Sequence, residues 1–298
     1  MNNKYKNISV EDKIFYSVIN VVMLLSLLAV LIPIIQLVSS SISEPKAVLQ
    51  GQVMLISKGF SLDGYKAVLK DGSIMTGYIN SIFYTVVGTF LSIAVTIMLA
   101  YPLSRSDLVG GKILMAMVTF TMLFAGGIIP TYILMRNLHL INSRLAMILP
   151  GMLGAYNVII ARTFFANSIP KELLEATKVD GLGNIAFIIK MVIPLSKSII
   201  VVLALYYGVA IWNNWFSAYI YLHDVNKYPL QLILKEILFG NSTDMSASSG
   251  SSEEVGLDAL SESIKYACIM LSCVPLWIAY PFLQKFFEKG VMIGSIKG

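Results

Sequence analysis

The sequence predicts an all-α integral membrane protein with six transmembrane helices. Three observations lead there. Of 298 residues, 56% are hydrophobic and only 13% are charged, where a soluble domain carries about a quarter charged residues. The mean hydropathy is +0.75. The apolar residues are gathered into runs of roughly 20, the length that crosses about 30 Å of hydrocarbon at 1.5 Å per residue. Soluble enzymes, nucleic-acid binders and disordered scaffolds are excluded at this stage. The net charge of +5 fits the basic residues that accompany membrane topology, and no nucleic-acid partner is expected.

The runs fall at about 14–38, 79–101, 112–135, 145–164, 198–221 and 266–284. The first follows Lys4, Lys6 and Lys13, as a signal peptide would, but it is too long for an h-region. Ser39-Ser40-Ser41 after it is a poor cleavage site, so it reads as an uncleaved span. With both termini cytoplasmic, the inner segments hold 13 of the 22 Lys and Arg residues: three N-terminal, two at 105–112, five at 162–197 and three C-terminal. That bias orients the chain, and it places Asp244, Glu253, Glu254, Asp258 and Glu262 outside. The expected organisation is an N-terminal tail, first span and outer loop over 1–74, then a core transmembrane domain over 75–284. The core carries a cytoplasmic loop at 165–197 and an outer loop at 222–265, and a cytoplasmic tail follows at 285–298. The expected location is the plasma membrane, with multiple passes.

No Asp, Glu, Lys, Arg or His occurs in 79–101, 113–135, 145–161, 198–221 or 266–284. Ion-coupled carriers and pumps place ionisable groups at mid-membrane, and intramembrane enzymes need a nucleophile, base or metal. Backbone carbonyls remain open as sodium ligands. Gly110-Gly111-Lys112 lacks the upstream glycine and following Ser/Thr of a phosphate-binding loop. Cys268 and Cys273, five apart on one apolar run, turn to different helix faces, and His139 and His223 stand in separate loops. No metal or cofactor is expected on this chain, and energy for uphill movement would come from another subunit.

The stretch Ser168–Gly181 is the informative one. Ser168 is a candidate N-cap, Pro170 suits a first turn, and Glu172 favours the positive end of the dipole. Leu173, Leu174 and Thr177 fall near one face, and Gly181 supplies a stop. A helix of about ten residues is marginal alone, so it docks on something. Its own membrane domain and another subunit are both open.

This stretch resembles the EAA loop of binding-protein-dependent ABC importer permeases: Glu175-Ala176-Thr177, then Gly181, then Met191-Val192-Ile193-Pro194, with Asp180 before the glycine as in sugar importers. Thr177 stands where the motif has a second alanine. Phe124–Ile133 with Asn142 and Leu149-Pro150-Gly151, Trp212–Phe216 with Lys227–Gln231, and the terminal Gly294–Gly298 are similar to the maltose-type carbohydrate permeases, in particular the second permease subunit of oligosaccharide importers. The resemblance covers most of 75–298. It implies the type I ABC importer permease fold and a heterodimeric pathway shared with a sister permease. It further implies two ATPase subunits holding ATP and Mg, an extracytoplasmic solute-binding lipoprotein and an oligosaccharide substrate. Glu172, Glu175, Ala176, Thr177, Asp180 and Gly181 would then couple the chain to the ATPase, and Lys297 and Gly298 would reach toward it. The chain itself would be a transporter subunit and not an enzyme.

Neutral sugars are bound by aromatic faces and uncharged donors. Tyr132, Tyr156, Asn157, Tyr206, Tyr207 and Asn213 are candidates for a sugar pathway. Tyr and Trp also gather at membrane interfaces, a reading open for Trp212 and Trp215. Gly126, Gly127 and Pro130 would unwind the third span or let a neighbour pack closely. Gly240–Ser252 reads as a solvated linker or, by position in the resemblance, as a loop that meets the binding protein. A permease for an amino acid or peptide, and an autonomous secondary transporter, are the alternatives.

Overall fold

The computed structural model describes residues 9–70, 72–179, 181–244 and 252–295, and Asp180, Lys297 and Gly298 therefore lie outside the described residues. The chain divides into two units, one built from 1–70 and 241–271, the other from 71–240 and 272–298. No strand is present among the described residues beyond an isolated bridge between Ser43 and Phe60.

In the first unit, α1 (Val10–Ser41) starts at Ser9, whose hydroxyl accepts from Asp12 N–H at 3.2 Å. Its apolar stretch is exposed on every side, the signature of a helix solvated by lipid or a partner rather than by water. Only its last turn is buried, at Ser39, Ser40 and Ser41. Ser39 Oγ donates to Leu55 O (2.9 Å) and Tyr65 OH to Ser41 Oγ (2.9 Å). The serines thus fasten the end of α1 to the loop behind α2 (Pro45–Leu49) and to α3 (Asp63–Lys70). A side chain at Gly64 of α3 would meet the Ser263 carbonyl oxygen at 2.8 Å, so only glycine permits that approach.

The second unit is organised around α4 (Gly72–Ser104). Gly77, Ser81, Tyr84, Gly88, Ser92, Thr96 and Ala100 form its buried stripe at helical spacing. Small residues let membrane helices approach where no hydrophobic effect drives them together; a Cβ on Gly88 would meet Ile211 at 2.8 Å. The chain continues through α5 (Gly111–Leu123), α6 (Ile128–Asn137), α7 (Leu145–Ile148), α8 (Ala155–Ser168) and α9 (Lys171–Val179). Next come α10 (Asn184–Phe187), a π-helical turn (Ile188–Val192), α11 (Ile193–Leu195), α12 (Lys197–Trp212), α13 (Trp215–Tyr221) and α14 (Leu230–Asp244). The last helix, α15 (Ser252–Ser295), runs through both units. The core of the second unit gathers Tyr101, Phe165, Phe187, Leu203 and Tyr207 from α4, α8, α10 and α12.

The expected spans are reshaped at glycine and proline. By length and composition, Val10–Ser41, Gly72–Ser104 and Asp258–Pro281 can each cross a membrane. Two bent pairs, Gly111–Leu123 with Ile128–Asn137 (113°) and Asn184–Leu195 with Lys197–Trp212 (86°), bring the number to five among the described residues if each pair is one broken span rather than a re-entrant loop. The run at 112–135 breaks at Phe124–Gly127, where Gly127 adopts φ +84°. The run at 145–164 is not one helix: Pro150, Gly151 and Gly154 interrupt it, leaving α7 and the 14 residues of α8, too short alone for a layer of about 30 Å. The run at 198–221 divides at Asn213-Asn214 into α12 and α13.

Candidate functional site

Ser168 does not cap α9. It closes α8, and the chain is extended at Ile169 (φ −108°, ψ 105°) because Pro170 disfavours a helical residue before it. Helix α9 follows at once over nine residues. Leu173 and Leu174 pack against the core that holds Phe165 and Phe187. Thr177 is buried, its hydroxyl donating to Leu173 O and Leu174 O at 3.0 Å each, so the residue that departs from the EAA pattern satisfies itself locally. Leu182 N–H reaches back to Thr177 O at 2.9 Å, and Gly181 takes φ +75°. That left-handed residue closes the helix as its sequence position predicts. Glu172, Glu175, Ala176 and Val179 are left exposed.

A second group meets α9 that the sequence reading did not single out. Arg105, just past α4, pairs with Asp107 through Nε (2.9 Å) and a short Nη2 contact, and its Nη1 reaches Asn184 Oδ1 at 3.5 Å. Arg162 of α8 donates to Leu103 O at 3.3 Å. The Arg105–Asp107 pair lines a cleft of about 180 Å³ together with Phe165, Leu174 and Glu175. Their only sequence signal is a lone arginine at the end of an apolar run.

The aromatic and amide candidates do not form one lining. Tyr156 and Tyr206 are exposed, with ring centroids 6.1 Å apart. Tyr132 stacks on Tyr221 (6.3 Å, 16°) near the α5–α6 break. There a cavity of about 250 Å³ is bounded by Gly126, Gly127, Thr131, Phe216 and Tyr221. Tyr207 is buried: its hydroxyl contacts Thr96 Oγ1 (2.7 Å) and accepts from Gly154 N–H (3.1 Å). Asn157 is buried beside Gly154. Asn213 turns its amide back onto Val209 O (2.9 Å), closing α12. Trp212 is buried and donates to Ser272 O at 3.2 Å, which makes it a packing residue.

The segment 222–230 is held by side chains distant in sequence. Asn80 donates to Asn226 O (2.8 Å) and Tyr228 O (3.0 Å), Tyr84 OH to Lys227 O (2.9 Å), and Ser81 Oγ accepts from Leu230 N–H (2.8 Å). Asn142, at φ +57°, accepts from His223 and Asp224 N–H, and its own carbonyl accepts from Lys227 Nζ at 2.8 Å. Asp224 is held below the usual carboxylate range, first by Asn226 N–H (3.0 Å) and also by Lys227 (3.3 Å). A carboxyl lowered by folding stabilises this turn above its unfolded value, about 3.9, and loses that contribution as pH falls through the folded one. Amide exchange at Asn226, relative to the same amide in Asp224→Asn, is therefore expected to be slowed at neutral pH. The difference should vanish only below the ordinary aspartate range; a difference that disappears near pH 6 would contradict the assignment.

No family model matches the chain. It is 37% identical over 290 residues to the polygalacturonan/rhamnogalacturonan transport system permease protein YtcP of Bacillus subtilis (strain 168), an alignment that covers 97% of this chain and 100% of that protein. The chain belongs to the sugar ABC importer permeases. This permease is also 37% identical over 268 residues to protein LplC of the same organism, with 90% of each covered. The crystal structure of a bacterial ABC transporter involved in the import of the acidic polysaccharide alginate includes a chain that matches the permease with TM-score 0.84 and 33% identity. That match covers 94% of this permease and 99% of the other chain. The all-α permease fold expected from the sequence is thereby established. Permeases of this kind are membrane-spanning transporter subunits that work with other ABC components and a substrate-binding protein.

Proposed function

We propose that the chain forms one half of the translocation pathway of an ATP-driven, binding-protein-dependent oligosaccharide importer. A sister permease supplies the other half, and two ATPase subunits bind ATP and Mg, for which this chain has no loop of its own. The observation that carries the reading is the geometry of α9. Leu173, Leu174 and Thr177 hold it on the bundle, while Glu172, Glu175 and Ala176 remain exposed. A short helix anchored on one side and polar on the other transmits displacement as a rigid body. On this reading Glu172, Glu175, Ala176, Thr177, Asp180 and Gly181 meet the ATPase, and the tail ending at Lys297 and Gly298 approaches it. The same reading makes both termini cytoplasmic and the spans six, more than the three to five that length and apolarity support among the described residues, with α9 on the ATP side and the 222–265 loop opposite it.

Relatives named for polygalacturonan, rhamnogalacturonan and arabinooligosaccharides support a carbohydrate of several units as the cargo. Among the pathway candidates, Tyr156 and Tyr206 offer exposed rings, whereas Tyr207 and Asn157 serve the packing that positions them. The test is purification of the tagged chain from its native membrane in mild detergent, with mass spectrometry of its companions. A second permease, an ATPase and a lipoprotein are expected. A lone chain, under conditions that keep a known importer assembled, would sink the proposal.

A further inference from the structure

The end of the second unit that carries α13 and the start of α14 presents a cation held against two aromatic rings. Lys235 Nζ lies 4.1 Å from the Tyr219 ring centroid and 5.3 Å from that of Trp215. Trp215 and Tyr219 are 38% and 57% exposed, so both rings keep free surface beside the ammonium. Among the described residues, no carboxylate lies within ion-pair distance of Lys235. Asp224, in the turn before α14, is engaged by Lys227. Glu236, next along α14, points about 100° away around the helix axis. The segments 136–145 and 222–236 together hold Arg136, Arg144, Lys227 and Lys235 against Asp224 and Glu236, an excess of positive charge at this end.

A neutral sugar needs ring faces and uncharged donors and gains nothing special from an unpaired ammonium. A sugar residue bearing a carboxylate uses both parts. Its C–H face packs on the exposed indole or phenol, and its carboxylate takes charge-assisted hydrogen bonds from the lysine. The rings hold the ammonium in place by cation–π attraction, so less side-chain freedom is lost when a ligand arrives. Resting on the oligosaccharide-importer reading above, we propose that Lys235, Trp215 and Tyr219 form an outward-facing subsite for a uronate residue, which makes acidic oligosaccharides the substrate class. The competing role for the cluster is a tether between α13 and α14.

The test uses the whole importer, with its partner subunits and binding protein, in proteoliposomes. The probes are labelled trigalacturonate and galactotriose, which share a ring and differ in the carboxylate. Wild type takes up trigalacturonate. In Lys235→Met the ratio of trigalacturonate to galactotriose uptake falls about tenfold, the scale of one lost charge-assisted hydrogen bond, and Lys235→Arg keeps it. Where galactotriose is not carried, ATP hydrolysis by the same vesicles is the denominator. An unchanged ratio in Lys235→Met, or a loss shared equally by both measures as a tether would give, overturns the subsite. Wild-type uptake of galactotriose without trigalacturonate overturns it while leaving the oligosaccharide reading intact. Uptake of neither sugar by an assembled importer removes that reading and the subsite with it.

Discussion

Glu175→Ala combined with Gly181→Asp is expected to leave the subunit inserted at wild-type level and to lower ATP-driven uptake about 100-fold or more, the loss that follows when an anchoring interface contact worth about 3 kcal/mol is removed. The structure explains why folding should survive. Glu175 is exposed at the cleft beside Arg105 and is not among the groups that pack α9 on the core, and alanine is the better helix former. Gly181 has φ +75°, yet nothing lies within 4 Å of a Cβ built there. Aspartate would therefore pay only the left-handed backbone cost of about 1 kcal/mol. Uptake of labelled oligosaccharide, read beside the amount and detergent elution of the subunit, checks the prediction. Normal uptake by a stable double variant would falsify the coupling role of α9. Loss of the subunit itself would show instead that α9 is a structural connector.

The second large effect is expected at Asn80. Its side chain is 2% exposed and donates to the carbonyls of Asn226 and Tyr228. Asn80→Leu keeps a similar volume but removes both hydrogen bonds, at about 1 kcal/mol each. The 225–230 segment should then exchange its amides faster, and uptake should fall because that segment leads into α14. Tyr84→Phe removes a single bond to Lys227 O and should cost about 1 kcal/mol. The ordering of the two variants is the check. Exchange in Asn80→Leu no faster than in Tyr84→Phe would mean that Asn142 and Ser81 alone hold the segment.

Much of α9 was legible in advance because its signals act within one turn. Pro170 and Gly181 bracket it, and Leu173, Leu174 and Thr177 share the buried face as their spacing predicts. Ser168 misled for a local reason too: serine at the end of one helix and serine capping the next look alike until the course of the chain between them is known. The glycine breaks were visible as composition, but their consequence was not. Gly126-Gly127 turns a run of apolar residues through 113°, and an apolar run says nothing about direction.

The sugar-pathway candidates show where sequence reasoning stops. Tyr206 and Tyr207 are adjacent and chemically identical, yet one is exposed beside Tyr156 and the other is buried between Thr96 and Gly154. Successive residues on a helix face about 100° apart, and no local pattern states which direction meets a neighbour.

By itself, the sequence determined that the chain lives in a membrane, that five of its apolar stretches hold no Asp, Glu, Lys, Arg or His, and that a short, partly apolar helix lies between two of them. Those properties follow from hydropathy, from the length of a span and from proline, glycine and helix periodicity. Only the tertiary structure decided which polar groups are spent on holding the bundle, which runs bend, and that Lys235 stands against two aromatic rings. The partners in those contacts lie up to 149 residues apart. Packing brings such groups together, and packing depends on the whole chain at once.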